Sequence, residues 1–145
     1  MKYLGIDYGT KRIGLAVSDD EGRVAFPLTI ITASPLAAGE IAALAHQRGV
    51  QKIIIGESRD LRGARNAVME DIELFAKDLE ELSKLPVAYE REFFTSALAA
   101  RQFAPEEKSR KANPPHEQLD ASAAALILQS YLDRKHNSRY DAEAK

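Results

Sequence analysis

Lys2-Tyr3-Leu4-Gly5-Ile6-Asp7-Tyr8-Gly9-Thr10 opens the chain, and Arg12-Ile13-Gly14-Leu15-Ala16-Val17-Ser18 follows at once. Tyr3, Leu4 and Ile6 make the first stretch apolar enough for a buried strand. Asp7 then places one carboxylate at its end. An acid on an interior strand is costly unless something pairs with it, as a metal ion or a hydrogen-bonded phosphate group would. A turn-capping aspartate is the plainer reading of the same position. Gly9 lets the backbone turn tightly and approach a charged ligand closely.

Outward from this pair, Asp19-Asp20-Glu21-Gly22 reads as a hairpin turn, and residues 24–32 as a third extended stretch. Pro27 inside that stretch predicts an edge strand or a bulge. Ser34-Pro35 opens a helix, with Ser34 as N-cap and Pro35 in the first helical position. Ile41, Leu44 and Ala45 form its apolar side, and Gly49 stops it. Val50 to Ile55 reads as a central strand covered on both faces, with Ile53-Ile54-Ile55 as its apolar run, and Gly56 ends it. Glu57 to Gly63 is a polar loop carrying Arg59, Asp60 and Arg62.

A helix follows over about residues 64–84, with Val68, Ile72, Phe75, Leu79 and Leu82 as its core stripe. The acids between them (Glu70, Asp71, Glu73, Asp78, Glu80, Glu81) form a solvated face. Pro86 precedes a fifth strand from Val87 to about Glu92, and Thr95 or Ser96 caps a short helix through Phe103. Residues 104–116 hold the basic cluster Lys108, Arg110 and Lys111. A last helix starts near Asn113 and runs to about Lys135, with Leu119, Ala123, Leu126, Ile127 and Ser130 on one side. Its run of alanines is small enough for close approach to a sheet. Residues 1–135 read as one domain and 136–145 as a polar, frayed tail. The order predicts an α/β fold: an antiparallel three-strand meander, then parallel strands, in one mixed five-stranded sheet with helices on both faces.

Composition narrows the function classes. The 145 residues are 45% hydrophobic and 29% charged, with no cysteine, so thiolate chemistry and disulfides are excluded. No apolar run reaches the roughly 20 residues that span a membrane, and no secretory signal pattern opens the chain. A cytoplasmic protein with no membrane partner fits these features. Net charge is −2 and the pI about 5.9. A protein that coats nucleic acid is usually basic, so any such contact must come from local clusters.

Three separated acids lie at strand ends and helix starts: Asp7, one of Glu90 and Glu92, and Asp120. Glu90 and Glu92 alternate on the fifth strand and point to one face. Asp120, early in the last helix, gains from the helix dipole. Gathering three carboxylates raises their pKa values unless a divalent cation offsets the repulsion. All-oxygen ligands suit Mg²⁺ or Mn²⁺, and two such ions support phosphodiester cleavage. Spacing alone leaves their convergence open.

The stretch from Gly5 through Asp7, Gly9, Thr10 and Gly14 to Asp19 resembles the opening of the YqgF-type family, assigned to Holliday junction resolution or pre-16S rRNA processing. Leu119-Asp120 and the run from Ala123 to Leu132 are similar to that family's last helix, and Pro27-Leu28-Thr29-Ile30 also fits. The resemblance implies the ribonuclease H-like fold and metal-dependent phosphodiester hydrolysis. It implies Asp7, Glu92 and Asp120 as catalytic metal ligands for Mg²⁺ or Mn²⁺, and nucleic acid (RNA or branched DNA) as partner. Two stretches depart from the family. Arg91-Glu92-Phe93-Phe94-Thr95-Ser96 stands where the family has Asp-Glu-Arg-Leu-Thr-Thr, so Glu92 is kept without a gap, while a gapped alignment keeps Glu90-Arg91. Gly56-Glu57-Ser58-Arg59-Asp60 replaces a Gly-Leu-Pro and an Asn. Lys11 and Arg12 are candidates to hold a phosphate beside Asp7, and Lys108, Arg110 and Lys111 to touch a nucleic-acid backbone. The expected assembly is a monomer or weak homodimer. The competing function is a non-catalytic nucleic-acid- or ribosome-associated module of the same fold.

Overall fold

The computed structural model describes the backbone of residues 1–57, 67–91 and 116–144, with side chains except at 67, 68, 91, 116–120 and 137–144. Five strands form one sheet: β1 Tyr3–Tyr8, β2 Arg12–Ser18, β3 Ala25–Thr32, β4 Lys52–Glu57 and β5 Val87–Arg91, in the order β3-β2-β1-β4-β5. β1, β2 and β3 pair antiparallel; β4 joins β1, and β5 joins β4, in parallel. This is the predicted meander extended by parallel strands. Among the described residues the helices are α1 Ala37–Gln47, α2 Ala67–Ser83 and α3 His116–Ala144.

Alternation along the strands divides two cores. Leu4, Ile6, Ile13, Leu15, Ile53 and Ile55 face α1 and α2, where they meet Ile41, Met69, Ile72 and Leu79. Tyr3, Ala16 and Ile54 face α3 and meet Ala124, Leu128 and Leu132. Beside Tyr3 and Ile54, the α3 side of the sheet carries the small residues Gly5 and Ala16. A Cβ on Gly5 would lie 2.7 Å from Leu128 Cβ and 3.0 Å from the Ala124 carbonyl oxygen, so the helix rests directly on the β1 backbone.

The sheet edges and turns follow from particular residues. Pro27 sits on edge strand β3, and the register slips there: Leu15 pairs with Thr29 but Ala16 with Pro27, leaving Leu28 as the extra residue of a bulge. The Gln129 side chain accepts from Ala25 N–H (2.9 Å) and donates to the Arg23 carbonyl (2.9 Å), covering polar backbone where β3 begins. At the hairpin, Gly22 has φ +70° and donates to the Asp19 carbonyl. The Asp19 carboxylate accepts from the Arg23 and Val24 N–H groups, which hold its pKa below the ordinary aspartate value. The unfolded chain therefore takes up this proton first, and the turn's contribution to stability is lost as pH falls through the lowered value.

Several predicted details are corrected. Helix α1 starts at Ala37, with Leu36 as N-cap and no side-chain cap bond. The Ser34 hydroxyl instead accepts from Leu36 N–H and the Ser34 carbonyl from Ala37 N–H, forming a turn ahead of the helix. Gly56 does not end β4; it is buried within the strand and pairs with Glu90. On α2 the stripe slips by one position after Leu79, so Leu82 is 57% exposed and Ser83 is buried. The six acids read as solvated are exposed. The buried side of α3 is Ala121, Ala124, Ile127, Leu128 and Leu132. Nothing in 136–144 breaks a helix, and α3 continues through Ala144 where a frayed tail was expected. The loop with Arg59, Asp60 and Arg62, the short helix after Thr95, and Lys108, Arg110 and Lys111 lie outside the described residues.

Gly5→Ala tests the close seating of α3. The added methyl must push the helix off β1 and lower stability by about 1–3 kcal/mol in urea unfolding. An unchanged midpoint would show that α3 does not rest on this backbone.

Candidate active site

Asp7 is half-buried near the end of β1, on the face that Gly5 and Tyr3 turn to α3. It pairs with Gly14 on β2. Ile6 pairs with Ile55, so one further step sets Asp7 beside Gly56 on β4, and Gly56 pairs with Glu90 on β5. The row Gly14–Asp7–Gly56–Glu90 thus carries two carboxylates, with glycine on both sides of Asp7. A cleft of about 260 Å³ opens here, lined by Asp7, Gly9, Thr10, Lys11 and Arg12. Gly9 is required by its own turn: a Cβ would collide with the Arg12 carbonyl oxygen. Lys11 and Arg12 are exposed at the rim, and Thr10 lines the cleft with them. On the opposite face Tyr8 packs on Phe75 at 5.1 Å between ring centroids. Burial first, and then the charge of Asp71, push its phenol pKa upward.

Helix α3 runs back along β1 from this end. Tyr3 meets Tyr131, and Gly5 lies under Ala124 and Leu128. The same progression carries the helix backbone of about residues 120–124 over the Asp7 end, at roughly 3.3 Å per strand residue and 1.5 Å per helix residue. Asp120 belongs to that backbone; its side chain, and the whole of Glu92, lie outside the described residues. Among the described residues no three acids or histidines gather into a metal-holding group.

Glu90 is only 4% exposed. A buried carboxylate without partners costs several kcal/mol. Glu90 meets that requirement on α3: Ser130 Oγ donates to it at 3.0 Å, and the Arg134 guanidinium forms a short ion pair with it. These partners come from 40 and 44 residues away. The only local signal was the four-residue spacing of Ser130 and Arg134 on one helix. His46 contacts the Ser83 carbonyl and His136 the Gly22 carbonyl. Ser18 is structural, its hydroxyl accepting from Tyr3 N–H and donating to the Asp19 carbonyl.

Comparison with known proteins joins this geometry to a family. The model of the RuvX family, described as Holliday junction resolvase, matches residues 1–134. The chain belongs to this family. It is 38% identical over 136 residues to a protein of Chloroflexus aggregans named "Putative pre-16S rRNA nuclease", covering 92% of this chain and 94% of that one. A Syntrophus aciditrophicus protein of the same name is 36% identical, covering 99% and 96%. Among solved structures, Thermus thermophilus RuvC in complex with a Holliday junction substrate superposes with TM-score 0.60 at 16% identity, covering 94% of this chain and 96% of that one. The fowlpox virus Holliday junction resolvase complex gives 0.52 at 13% identity, covering 92% and 98%. These two likenesses show the fold, which is ribonuclease H-like. The RuvX chain is thus a resolvase-like nuclease, and no helix among its described residues is long and apolar enough to cross a membrane.

Removing the Arg134 side chain tests the Glu90 tie. Breaking a fully buried pair costs about 3–5 kcal/mol, but the Arg134 side chain is 63% exposed and solvent screens part of this. Arg134→Ala is expected to destabilise by about 1–2 kcal/mol. A double-mutant cycle with Glu90→Gln should show coupling, and zero coupling would contradict the ion pair.

Proposed function

We propose that the chain is a divalent-metal-dependent nuclease that hydrolyses phosphodiesters in structured RNA, with the 5′ end of pre-16S rRNA as its substrate. The observation that carries this is Asp7, set between two glycines on a strand end and open to a cleft with Lys11 and Arg12 at its rim. Hard carboxylate oxygens beside a small, polar cleft fit Mg²⁺ or Mn²⁺. Asp7, Glu92 and Asp120 are the residues that would hold the metal. Glu90 is unsuited, because Ser130 and Arg134 already occupy its oxygens. Bound there, such ions activate water and stabilise the leaving oxygen.

The protein's own groups then have separate tasks. Lys11 and Arg12 hold the phosphate facing the cleft, and Gly14 and Gly56 leave room for it beside Asp7. Lys108, Arg110 and Lys111 contact the backbone further along the substrate, and neutralising them should flatten the salt dependence of binding. The names of the curated relatives favour RNA over a DNA junction. Cleavage of one RNA strand needs no two-fold axis, which agrees with a monomer or weak homodimer.

The test is cleavage of a panel: single-stranded RNA, a ribosomal precursor leader and a four-way DNA junction, each with Mg²⁺, Mn²⁺ or chelator. Cleavage of the leader with metal alone is expected. Asp7→Asn keeps the side-chain shape, removes the charge, and should slow cleavage at least about 10²–10³-fold with folding intact. An Asp7→Asn protein that cuts like the parent would refute the metal-nuclease reading. A folded parent that binds the leader and cuts nothing would favour the non-catalytic module.

A further inference from the structure

At the other end of β1 the structure gathers positive charge around two tyrosines. Lys52 Nζ donates to the Tyr131 hydroxyl at 2.9 Å and lies 5.4 Å from its ring centroid. Lys135 Nζ donates to the Tyr3 hydroxyl at 2.7 Å and lies 5.2 Å from that ring. The two rings meet at 5.8 Å, and Arg134 stands 5.6 Å from the centre of Tyr131. Glu90 pairs with Arg134. Three cations against that single carboxylate leave two positive charges, in a protein whose net charge is −2.

The hydrogen bonds alone add little stability to this grouping, and the cation–π contacts about 0.5–1 kcal/mol each where exposed. A hydrogen bond to a charged group contributes about 1.5–3 kcal/mol, while ordering a lysine side chain costs about 1.5–2 kcal/mol. The two nearly cancel, and the mutual repulsion of the cations remains. Each ammonium has three donors and gives one to a tyrosine, so two on each lysine remain for another acceptor. Lys52, Tyr131 and Lys135 are half-buried, and Arg134 is mostly exposed. The tyrosine hydroxyls hold the lysines in place, which lowers the ordering cost of binding an anion.

We propose that Lys52, Lys135 and Arg134 form a second contact for the nucleic-acid phosphate backbone, remote from the cleft at Asp7. The proposal rests on the nuclease reading. Tyr3 precedes Asp7 by four strand residues, about 13 Å. At roughly 3.4 Å of axial rise per nucleotide, this is about four nucleotides of one strand. A structured substrate cut at Asp7 reaches this end of the molecule. An acidic protein whose active site gathers carboxylates needs such a place to gain electrostatic affinity.

The test uses the full chain carrying Asp7→Asn, so that the probe stays intact, with a labelled RNA hairpin and a labelled four-way DNA junction. Lys52→Met with Lys135→Met keeps most of each apolar stem and removes both charges. It should weaken binding of both probes about ten-fold or more and lower the salt slope by about 2. Lys52→Arg with Lys135→Arg should restore affinity and slope, which a packing role alone would not require. Lys77→Met on α2, where Lys77 is exposed, should change neither. If the double Met protein does not fold, Lys135→Gln alone should lower the slope by about 1. A folded lysine variant with the parent's affinity and slope would overturn the proposal while leaving the nuclease reading intact. A parent that cleaves and binds no better than its lysine variants has the same meaning. A parent that binds neither probe would overturn both.

Discussion

The close seating of α3 on the small residues of one sheet face is the constraint on which the rest depends. Gly5, Gly14, Ala16 and Gly56 leave the backbone bare on that face, and Ala121 and Ala124 answer them from the helix. Larger residues on either side would hold the helix away from the sheet. Among the described residues, polar ties then close across this seam: Gln129 to the start of β3, Ser130 and Arg134 to Glu90, Lys135 to Tyr3, and Tyr131 to Lys52 on β4. Each ties a different strand to the same helix. The first turns of α3 are thereby carried to the strand end that holds Asp7.

Much of the fold was legible because it depends on short-range chemistry. The apolar first strand, the hairpin turn ending at Gly22, and Pro27 as an edge or bulge residue are each local rules, and each was read from a few residues. The misses have two origins. Some are competitions within a few residues: Ser34 spends its hydroxyl on a turn before it can cap a helix, and Leu82 falls one position off the buried stripe. Others depend on contacts that no local pattern encodes. Glu90 and Glu92 looked alike in the sequence, sharing a strand face. What no local pattern shows is Arg134, 44 residues away, which forms an ion pair with Glu90. Gly56 read as a strand stop because glycine usually is one; its use here is to leave Asp7 and Glu90 apart on one row.

The charge layout follows the same helix. Carboxylates are assigned to the end of β1 where the helix begins, and lysines and Arg134 to the end where it passes Tyr3 and Tyr131. On the proposed reading, this acidic chain would keep its metal-binding charges and its phosphate-binding ones at opposite ends of one helix. The central claim is that α3, by its seating, brings Asp120 to Asp7. Anomalous diffraction from crystals soaked in Mn²⁺ measures this directly. The account predicts density beside Asp7 and Asp120, with Glu92 completing the shell and Glu90 still bound to Arg134. Mn²⁺ held by Glu90, or no metal at Asp7, would contradict it.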